Sequence, residues 1–459
     1  MASPLHVVIL AAGQGTRMKS RLPKVLHPVA GKPMLAHVLD MARALDAAAC
    51  HVVHGHGAEE VRKAFAGEKV NWVLQAEQKG TAHAVAQALP GIPDHATILV
   101  LYGDVPLIRA ETLRPLLEGG GLALLTAELA EPHGYGRILR NKMGKVTGIV
   151  EEKDASAHQR RIREVNTGFM AMPAKALKRW LPKVGNKNAK GEFYLTDVVA
   201  LAVKDKAKVA ACAAADAAET QGVNDPVQLA VAEREFQRRQ ALELMRAGLQ
   251  LRDPARFDLR GTLTVGRDVV LDVGVVVEGD CELGDSVKVG PYSVLRNVSL
   301  GAGTRVESHS VLDSMKAGRD CRIGPFARVR PDSVLDDEVH IGNFVEVKKT
   351  AIGKRSKANH LAYLGDGTVG ADVNVGAGTI FCNYDGANKH QTVLEDGVFI
   401  GSDTQLVAPV RIGRGATVGA GSTITRDVPA GGLAVCRAKE QKHYAGWQRP
   451  KKGRQAGKS

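Results

Sequence analysis

The chain has 459 residues, of which 44% are hydrophobic and 24% charged, and its formal net charge is +13. This length predicts two large domains, and no run approaches the ~20 apolar residues that a membrane span requires, so we expect a cytoplasmic protein. The six cysteines show no CxxC or CxxH spacing, which argues against both a zinc site and a disulfide framework.

The first part of the chain, through about residue 225, alternates short apolar runs with amphipathic stretches. HVVIL (6–10) and TILVLYGD (97–104) are typical of buried strands, and PMLAHVLDMARAL (33–45) is typical of a helix. The alternation predicts an α/β domain with a doubly wound, mainly parallel sheet over 1–225. Ligands of such sheets bind beyond the carboxyl ends of the strands, so the segments at the carboxyl ends of these two apolar runs are candidates for a binding site.

The loop after HVVIL contains Gly13, Gly15, Arg17 and Lys24. Its spacing fits neither a dinucleotide fingerprint, because Met18 stands where a third small residue is needed, nor a P-loop. Glycines after a buried strand let backbone N–H groups approach a ligand, and two nearby cations suit phosphate. The loop therefore predicts a polyphosphate cradle, with a simple tight turn as the alternative.

Residues 226–250 include QLAVAEREFQRRQALELMRAG, whose dense charge and helical periodicity predict a helical linker. After it, aliphatic residues recur every six positions, at Val265, Leu271, Val277, Leu283, Val289, Leu295, then Ile323, Val329, Leu335, Ile341, Val347, then Leu394, Ile400, Leu406, Ile412, Val418 and Ile424. This period predicts a hexapeptide parallel β-helix over 251–440.

Two breaks in the six-residue period lie between Val347 and Val375 and between Phe381 and Leu394. Insertions in a solenoid become projecting loops, which are common places for functional sites. Residues 441–459 form a basic tail without acids, which we expect to be disordered. No basic patch interleaved with aromatic residues is present, and anionic small substrates explain the positive charge as well as nucleic acid does.

The order of several motifs along the chain is specific. The opening loop, YGDVPL, GYGRI, VNTGF, GVND and NYDGANK together resemble the family of bifunctional bacterial N-acetylglucosamine-1-phosphate uridylyltransferase/glucosamine-1-phosphate acetyltransferases, from His6 to about Trp447. The resemblance implies a nucleotidyltransferase domain followed by a left-handed β-helix that forms a homotrimer. It also implies acetyl transfer from acetyl-CoA to glucosamine 1-phosphate, then uridylyl transfer from UTP to N-acetylglucosamine 1-phosphate, without nucleic acid or membrane insertion.

For the first half, the resemblance assigns Arg17 and Lys24 to the phosphates and Asp104 with Asn224 to Mg²⁺. Such a sparse ligand set suits Mg²⁺, which takes its other oxygens from water and substrate phosphates. The remaining nucleotide and sugar contacts implied by the family are Leu10, Ala11, Gly13, Gln75, Gly80, Thr81, Tyr102, Gly103, Gly136, Glu151 and Asn166.

For the second half, the resemblance makes His360 the general base, a role that suits imidazole because it titrates near neutral pH, with Glu346 orienting it. The implied glucosamine 1-phosphate contacts are Arg330, Lys348, Tyr363, Asn374, Asn383, Tyr384 and Lys389, and the implied acetyl-CoA contacts are Ala377, Ser402, Ala420 and Arg437.

Two positions depart from the family pattern, Ala362 for a hydroxylated residue and Cys436 for a small polar one. Neither has a chemical role, so we expect altered affinity rather than lost activity. Two alternatives stay open at this point. One is a uridylyltransferase whose β-helix serves only oligomerisation and regulation, and the other is a trimeric scaffold whose basic tail binds an anionic partner.

Overall fold

The computed structural model describes residues 3–437 and residue 445, and the chain divides into two compact units between Glu243 and Leu244. The predicted basic tail, 441–459, lies outside the described residues except for Ala445. Within the described part, no helix has the length and apolarity needed to cross a membrane.

The first unit is an α/β domain. Its strands are β1 Leu5–Ala11, β2 Pro28–Val29, β3 Lys32–Pro33, β4 Ala49–His54, β5 Asn71–Leu74, β6 Thr97–Tyr102, β7 Leu122–Glu128, β8 Arg137–Arg140, β9 Val146–Val150, β10 Glu164–Pro173 and β11 Val209–Ala213. The α-helices assigned to the chain are α1 Met34–Ala44, α2 Ala58–Ala64, α3 Thr81–Ala88, α4 Ala110–Leu113, α5 Ala157–Arg160, α6 Ala174–Trp180, α7 Asp197–Lys204 and α8 Pro226–Arg246. Single 3₁₀ turns cover Thr16–Met18, Lys24–Leu26, Leu89–Gly91, Arg114–Leu117, Leu181–Lys183 and Ala217–Thr220.

The central sheet has the order β11-β7-β10-β6-β1-β4-β5, and only β10 runs antiparallel to its neighbours on this path. Alternate residues of β1 enter different apolar clusters, Val8 on one face and Val7 with Ile9 on the other. Helix α3 covers the first face through Val85, and helix α1 covers the second. Burial on both faces explains the unbroken apolar run in the sequence and confirms the doubly wound prediction.

Strands β1 and β6 are parallel neighbours, with Leu10 opposite Tyr102. The loops that follow them therefore leave the sheet at the same edge. Helix α8 lies where the sequence predicts a helical linker, and its Ala232 and Phe236 pack against Val29 and Met34 of the first unit. The early part of this helix is thus anchored on the α/β domain.

The second unit consists almost wholly of short strands, with one 3₁₀ turn at Pro254–Arg256. The strands are β12 Gln250–Leu251, β13 Asp258–Val265, β14 Val270–Leu271, β15 Val276–Leu283, β16 Lys288–Val289, β17 Val294–Leu300, β18 Arg305–Val306, β19 Val311–Ala317, β20 Arg322–Ile323, β21 Arg328–Val329, β22 Ser333–Leu335, β23 His340–Asn343, β24 Glu346–Ile352, β25 Lys357–His360, β26 Tyr363–Val369, β27 Asn374–Val375, β28 Ile380–Cys382, β29 Thr392–Leu394, β30 Phe399–Ile400, β31 Gln405–Val407, β32 Val410–Ile412, β33 Thr417–Val418, β34 Thr423–Ile424 and β35 Leu433–Ala434.

Successive coils stack in parallel register, as the prediction of a hexapeptide β-helix requires. One long sheet has the order β12-β14-β16-β18-β20-β23-β25-β27-β30-β33-β35, and a second sheet carries the other strands of each coil. Every aliphatic residue of the six-residue pattern is buried except Val265, which is half-buried in the first coils. The repeat therefore forms the core by stacking the same position of each coil on the next.

The two interruptions of the period have different structures. The second is an insertion, because the coil that contains Asn383 places Asp396 above Ala371, 25 residues later, instead of the usual 18. The first interruption was expected to be a projecting loop, and that expectation is wrong. Strands β24, β25 and β26 continue the helix there, and a coil of 17 residues, from Asn343 to His360, merely shifts the phase by one.

Candidate active sites

The first candidate site is a cleft of about 290 Å³ at the carboxyl edge of β1 and β6. Its walls combine the glycine-rich loop, the start of α3 and the end of β6. The predicted residues that line it are Leu10, Ala11, Gly13, Lys24, Gln75, Gly80, Thr81, Tyr102 and Asp104. Gly103 lies behind this wall, where a side chain would approach the Cβ of Ala11 to 3.2 Å.

Lys24 joins the loop to the far wall of this cleft. Its Nζ contacts Oδ2 of Asp104 and lies 3.2 Å from Oδ1 of Asn224. The two oxygens that the sequence assigns to a metal thus converge on one cation. Arg17, by contrast, lies exposed on the 3₁₀ turn Thr16–Met18, and no hydrogen bond holds its side chain to any residue in the described ranges. Arg17 is therefore free to turn toward an anionic ligand.

The wall beside α3 depends on a glycine. Gly80 has φ +111°, and a Cβ there would lie 2.5 Å from the carbonyl oxygen of Phe193. Gln75 Nε2 donates to the Gly80 carbonyl at 3.2 Å, which fixes the turn from inside the cleft. Sequence reasoning missed Gln78, whose Nε2 donates to the Ala12 carbonyl at 2.6 Å, because a polar residue in a loop gives no distinctive signal.

Tyr102 connects this cleft with a second group of predicted residues. Burial, followed by the charges of Asp104 and Glu151, raises the pKa of Tyr102. Gly168 makes room for the ring, because a Cβ at that position would lie 2.5 Å from it. The tyrosine therefore lines this cleft and is also close enough to Glu151, a residue assigned to the sugar, to be affected by its charge.

The residues assigned to the sugar contact one another. The carbonyl oxygen of Gly136 accepts from the Asn166 amide at 2.9 Å, and a Cβ on Gly136 would lie 3.3 Å from Oε1 of Glu151. Thr196, which sequence reasoning missed, donates to that Oε1 at 3.1 Å. Burial raises the pKa of Glu151, so this carboxyl group is held in a poorly hydrated position.

A neighbouring cavity of about 430 Å³ extends from Glu151. Asp154, Tyr194 and Asp197 line it, and none of them was singled out from the sequence. Burial, and then Asp154, raises the pKa of Asp197. The polar residues of the segment EFYLTD (192–197), which includes Thr196, were the available signal in the sequence.

The second candidate site lies on the β-helix around His360, which ends β25 and is exposed. Nδ1 of His360 lies 2.8 Å from Oδ1 of Asn343. The predicted orienting residue, Glu346, instead accepts from Arg330 at 2.8 Å, with Arg328 3.9 Å away. The role of Glu346 toward His360 stays a prediction, and Asn343 is a contact that sequence reasoning missed.

Three predicted cations form a cluster near this histidine. Arg330 is one coil below Lys348, since its amide donates to the Val347 carbonyl at 2.8 Å. Side-chain contact with Lys348 lowers the pKa of Lys389, and Arg330 acts in the same direction. Lys348 also lies 3.1 Å from Oδ2 of Asp366. These three cations outnumber the two carboxylates among them, Asp366 and the Glu346 that pairs with Arg330, and the remaining positive charge suits a phosphate group.

The insertion loop brings Asn383 to the cation cluster, beside Asp366. Its Nδ2 contacts Asp366 and lies 3.5 Å from the hydroxyl of Tyr363. A Cβ at Gly365 would lie 2.4 Å from that hydroxyl, so the glycine leaves room for the Tyr363 side chain. Tyr384 pairs with Lys389 across the loop and remains 60% exposed. Asp366 was missed because its spacing resembles that of other acidic residues at the corners of the helix.

The residues assigned to acetyl-CoA continue upward from His360. Asn374 pairs with Lys357, so Ala377 occupies on the next coil the place that His360 occupies on its own. The Asp403 amide donates to the Ala377 carbonyl, and the Gly421 amide to the Ser402 carbonyl, which puts Ser402 and Ala420 on the coils above. With coils ~4.8 Å apart, the column spans ~14 Å from His360 to Ala420. The Arg437 side chain lies against Gly419 and Gly421, beside Ala420.

Comparisons with known proteins agree with this division. Residues 7–161 match the model of the MobA-like NTP transferase domain, and residues 391–426 match the bacterial transferase hexapeptide (six repeats). A protein of Alkalilimnicola ehrlichii named Bifunctional protein GlmU is 60% identical over 98% of this chain and 97% of its own length. The chain belongs to the GlmU family.

Two other GlmU relatives span both units in the same way. The protein of Marinobacter nauticus is 56% identical over 98% of this chain and its own full length, and that of Stenotrophomonas maltophilia is 57% identical over the same shares. Membership in the GlmU family confirms the family predicted from the motifs. The individual site residues stay predictions, supported by the contacts described above.

Proposed function

We propose that this chain makes UDP-N-acetylglucosamine in two steps at its two sites. The β-helix transfers the acetyl group of acetyl-CoA to glucosamine 1-phosphate, and the α/β domain then transfers uridylate from UTP to the resulting N-acetylglucosamine 1-phosphate. The observation that carries the proposal is that one chain of the GlmU family holds both the cleft around Lys24 and Asp104 and the cation cluster beside His360. The order follows from the chemistry, because the first product is the second acceptor.

In the acetyl transfer, the amine of glucosamine 1-phosphate attacks the thioester carbonyl carbon. His360 Nε2 takes the proton of the attacking amine, the C–S bond breaks, and CoA leaves as its thiol after protonation. Arg330, Lys348 and Lys389 hold the sugar phosphate through the cluster described above. The column from His360 to Ala420 gives the extended arm of acetyl-CoA a straight path along the coils.

In the uridylyl transfer, a phosphate oxygen of N-acetylglucosamine 1-phosphate attacks the α-phosphorus of UTP. The bond between the α-phosphorus and the bridging oxygen breaks, and pyrophosphate leaves. The attacking phosphate is already ionised, so no general base is needed and the site works by positioning and neutralising charge. Lys24 and Arg17 supply positive charge, and the glycine-rich loop lets backbone N–H groups face the phosphates.

Magnesium belongs to this proposal, with Asp104 and Asn224 as its protein ligands. The donor set fits, because both side-chain oxygens already face one cation, the ammonium group of Lys24. In the described part of the chain, no three His, Cys, Asp or Glu side chains form a metal site, which is consistent with an ion completed by substrate phosphates and water. When bound, Mg²⁺ would neutralise charge on the phosphate oxygens.

The proposal also includes a homotrimer in the cytoplasm. His360, Ser402, Ala420 and Arg437 are all exposed on the single chain, so the acetyl-CoA column lacks a second wall. A neighbouring copy of the β-helix would provide one. Sedimentation at several protein concentrations tests the trimer directly.

The experiment that tests the function measures each product separately. Thiol release from acetyl-CoA should require glucosamine 1-phosphate and should fall by ~10² to 10⁴ in His360→Ala, the range of general-base contributions. Pyrophosphate release from UTP should require N-acetylglucosamine 1-phosphate and should be lost in Asp104→Ala, while thiol release stays within a few-fold of wild type. If the wild-type protein shows no acceptor-dependent thiol release, the chain is a uridylyltransferase with a structural β-helix.

A further inference from the structure

The side-chain hydrogen bond of His360 joins it to a residue one coil earlier in the β-helix. Asn343 on β23 is the direct register partner of His360 on β25, and Oδ1 of the asparagine lies 2.8 Å from Nδ1 of the ring. Glu346, the residue expected to orient the ring, has its carboxylate paired with Arg330. The orienting contact is therefore made by a neutral amide.

The direction of this hydrogen bond determines which ring nitrogen can act as a base. A side-chain carbonyl oxygen only accepts, so Nδ1 of His360 carries the proton and Nε2 carries the lone pair. Across the described residues, Nε2 of His360 has no hydrogen-bond partner and the ring is exposed. We propose that Asn343 is a positioning residue for acetyl transfer, which holds His360 in the Nδ1–H tautomer so that Nε2 can take the proton of the acceptor amine.

The backbone fixes the Asn343 side chain below the ring. The Leu361 amide donates to the Asn343 carbonyl at 3.1 Å. Gly342 permits this close stacking, because a Cβ there would lie 2.0 Å from the carbonyl oxygen of Asn359. On the coil above His360 the column continues with Ala377, whose methyl group offers no hydrogen bond. Asn343, on the coil below, therefore determines the tautomer of His360.

The neutral character of the orienting group has a consequence for the pH dependence. His340 on β23 is a charged neighbour of the His360 ring when it is protonated. Burial, and then Arg322, Lys357 and His360, lowers the pKa of His340, against a smaller opposing effect of Glu307, so His340 adds little charge at neutral pH. An amide keeps the hydrogen bond without favouring the imidazolium form, whereas a carboxylate in its place would favour that form.

The proposal rests on the proposed acetyl-transfer function, and two readouts test it. In protein labelled with ¹⁵N-histidine, the His360 signal, assigned through His360→Ala, should show the Nδ1–H tautomer, and Asn343→Ala should lose that preference. In the thiol-release assay, Asn343→Ala should lower kcat by about 10- to 100-fold, the range for loss of a group that orients a metal-ligating histidine, with the KM for glucosamine 1-phosphate within about twofold.

Two further variants separate positioning from a loss of stability. Asn343→Asp keeps an acceptor oxygen at Nδ1 and therefore the tautomer, but its carboxylate favours the imidazolium form of His360. The variant should therefore be less active than wild type at low pH and regain activity as the pH rises, with the acid limb of its pH profile at higher pH. Asn297→Ala is the matched control, because Asn297 Oδ1 also accepts from a neighbouring coil, at 3.1 Å from the Asp280 amide, on the early coils of the helix. It should leave kcat within about twofold of wild type.

The outcomes distinguish this proposal from the proposed function. A wild-type His360 in the Nε2–H tautomer, or an Asn343→Ala variant with unchanged kcat in an active enzyme, overturns the role of Asn343 alone. Absence of acceptor-dependent thiol release by the wild-type protein overturns the acetyl transfer and this role together.

Discussion

At the residue scale, both sites depend on small residues that let functional groups approach one another. Gly80 lets the start of α3 lie on the Phe193 backbone, Gly168 makes room for Tyr102, and Gly365 makes room for Tyr363. The sequence indicated Gly80 through the family motifs, because the glycine itself is part of the pattern. It did not indicate Asn343 or Asp366, because corner residues of a β-helix are polar whether or not they contact a site.

We expect Gly80→Ala to impair the uridylyl site specifically. The residue has φ +111°, and a Cβ would meet the Phe193 carbonyl oxygen at 2.5 Å, so the loop or the segment beside it must move. Pyrophosphate release should fall at least tenfold at low UTP, with acetyl transfer unchanged. Gly67→Ala is the control, since nothing lies within 4 Å of a Cβ there, and a comparable loss in it would contradict the argument.

At the element scale, the β-helix is a stack of nearly equivalent coils, so its stability depends on repeated aliphatic positions. The period of six predicted these positions, and all but Val265 are buried. The sequence pattern did not distinguish a short coil from an inserted loop. Only the register shows that Asn343 to His360 is a coil of 17 residues, whereas the segment around Asn383 is an insertion.

Val277→Ala should destabilise the β-helix by about 2 kcal/mol, from two lost methyl groups plus a residual cavity. Val277 is fully buried in β15. Val334→Ala makes the same chemical change at a side chain that is 49% exposed on β22, and we expect a loss below about 0.5 kcal/mol. Urea unfolding followed by circular dichroism measures both. Equal losses would show that burial in the coil core does not decide stability.

The α/β sheet contains a buried histidine pair that should make its stability depend on pH. His6 Nδ1 and His51 Nε2 lie 3.0 Å apart on neighbouring strands β1 and β4. Burial, and then His6, lowers the pKa of His51 to about 4, and burial, and then His95, lowers that of His6. Since the unfolded chain takes up protons below about pH 6.5 and the folded pair resists them, stability falls as the pH drops from about 6.5 to about 4.

His51→Gln should weaken this dependence, because an amide can keep a hydrogen bond without binding a proton. Between pH 7.5 and pH 5 we expect the wild-type domain to lose about 2 kcal/mol from His51, and the variant to lose correspondingly less. Thermal unfolding at the two pH values provides the measurement. An equal decrease in Tm for both proteins would show that other groups dominate.

At the scale of the whole molecule, the two sites belong to separate compact units, divided between Glu243 and Leu244. The contacts described for each site lie within one unit, among Lys24, Asp104 and Asn224 in the first and at Asn343, His360 and Lys348 in the second. The two reactions can therefore be disabled independently.

We expect two inactive variants to complement each other. Neither Asp104→Ala nor His360→Ala alone should make UDP-N-acetylglucosamine efficiently from glucosamine 1-phosphate, acetyl-CoA and UTP. An equimolar mixture should restore synthesis, because N-acetylglucosamine 1-phosphate made by the first variant diffuses to the second. Chromatography of the nucleotide sugar measures the result. A mixture no more active than its components would mean that the intermediate does not pass between molecules.

The sequence by itself determined the two architectures, because unbroken apolar runs between amphipathic stretches and an aliphatic period of six are properties of neighbouring residues along the chain. It also determined the family, since the order of the motifs from the glycine-rich loop to NYDGANK is preserved in this one sequence. Tertiary structure decided which side chains touch. Asn343 lies beneath His360, Thr196 contacts Glu151, and Asp366 lies between Lys348 and Asn383. The length of each coil and the packing of the loops bring these side chains together, and no local sequence pattern encodes either.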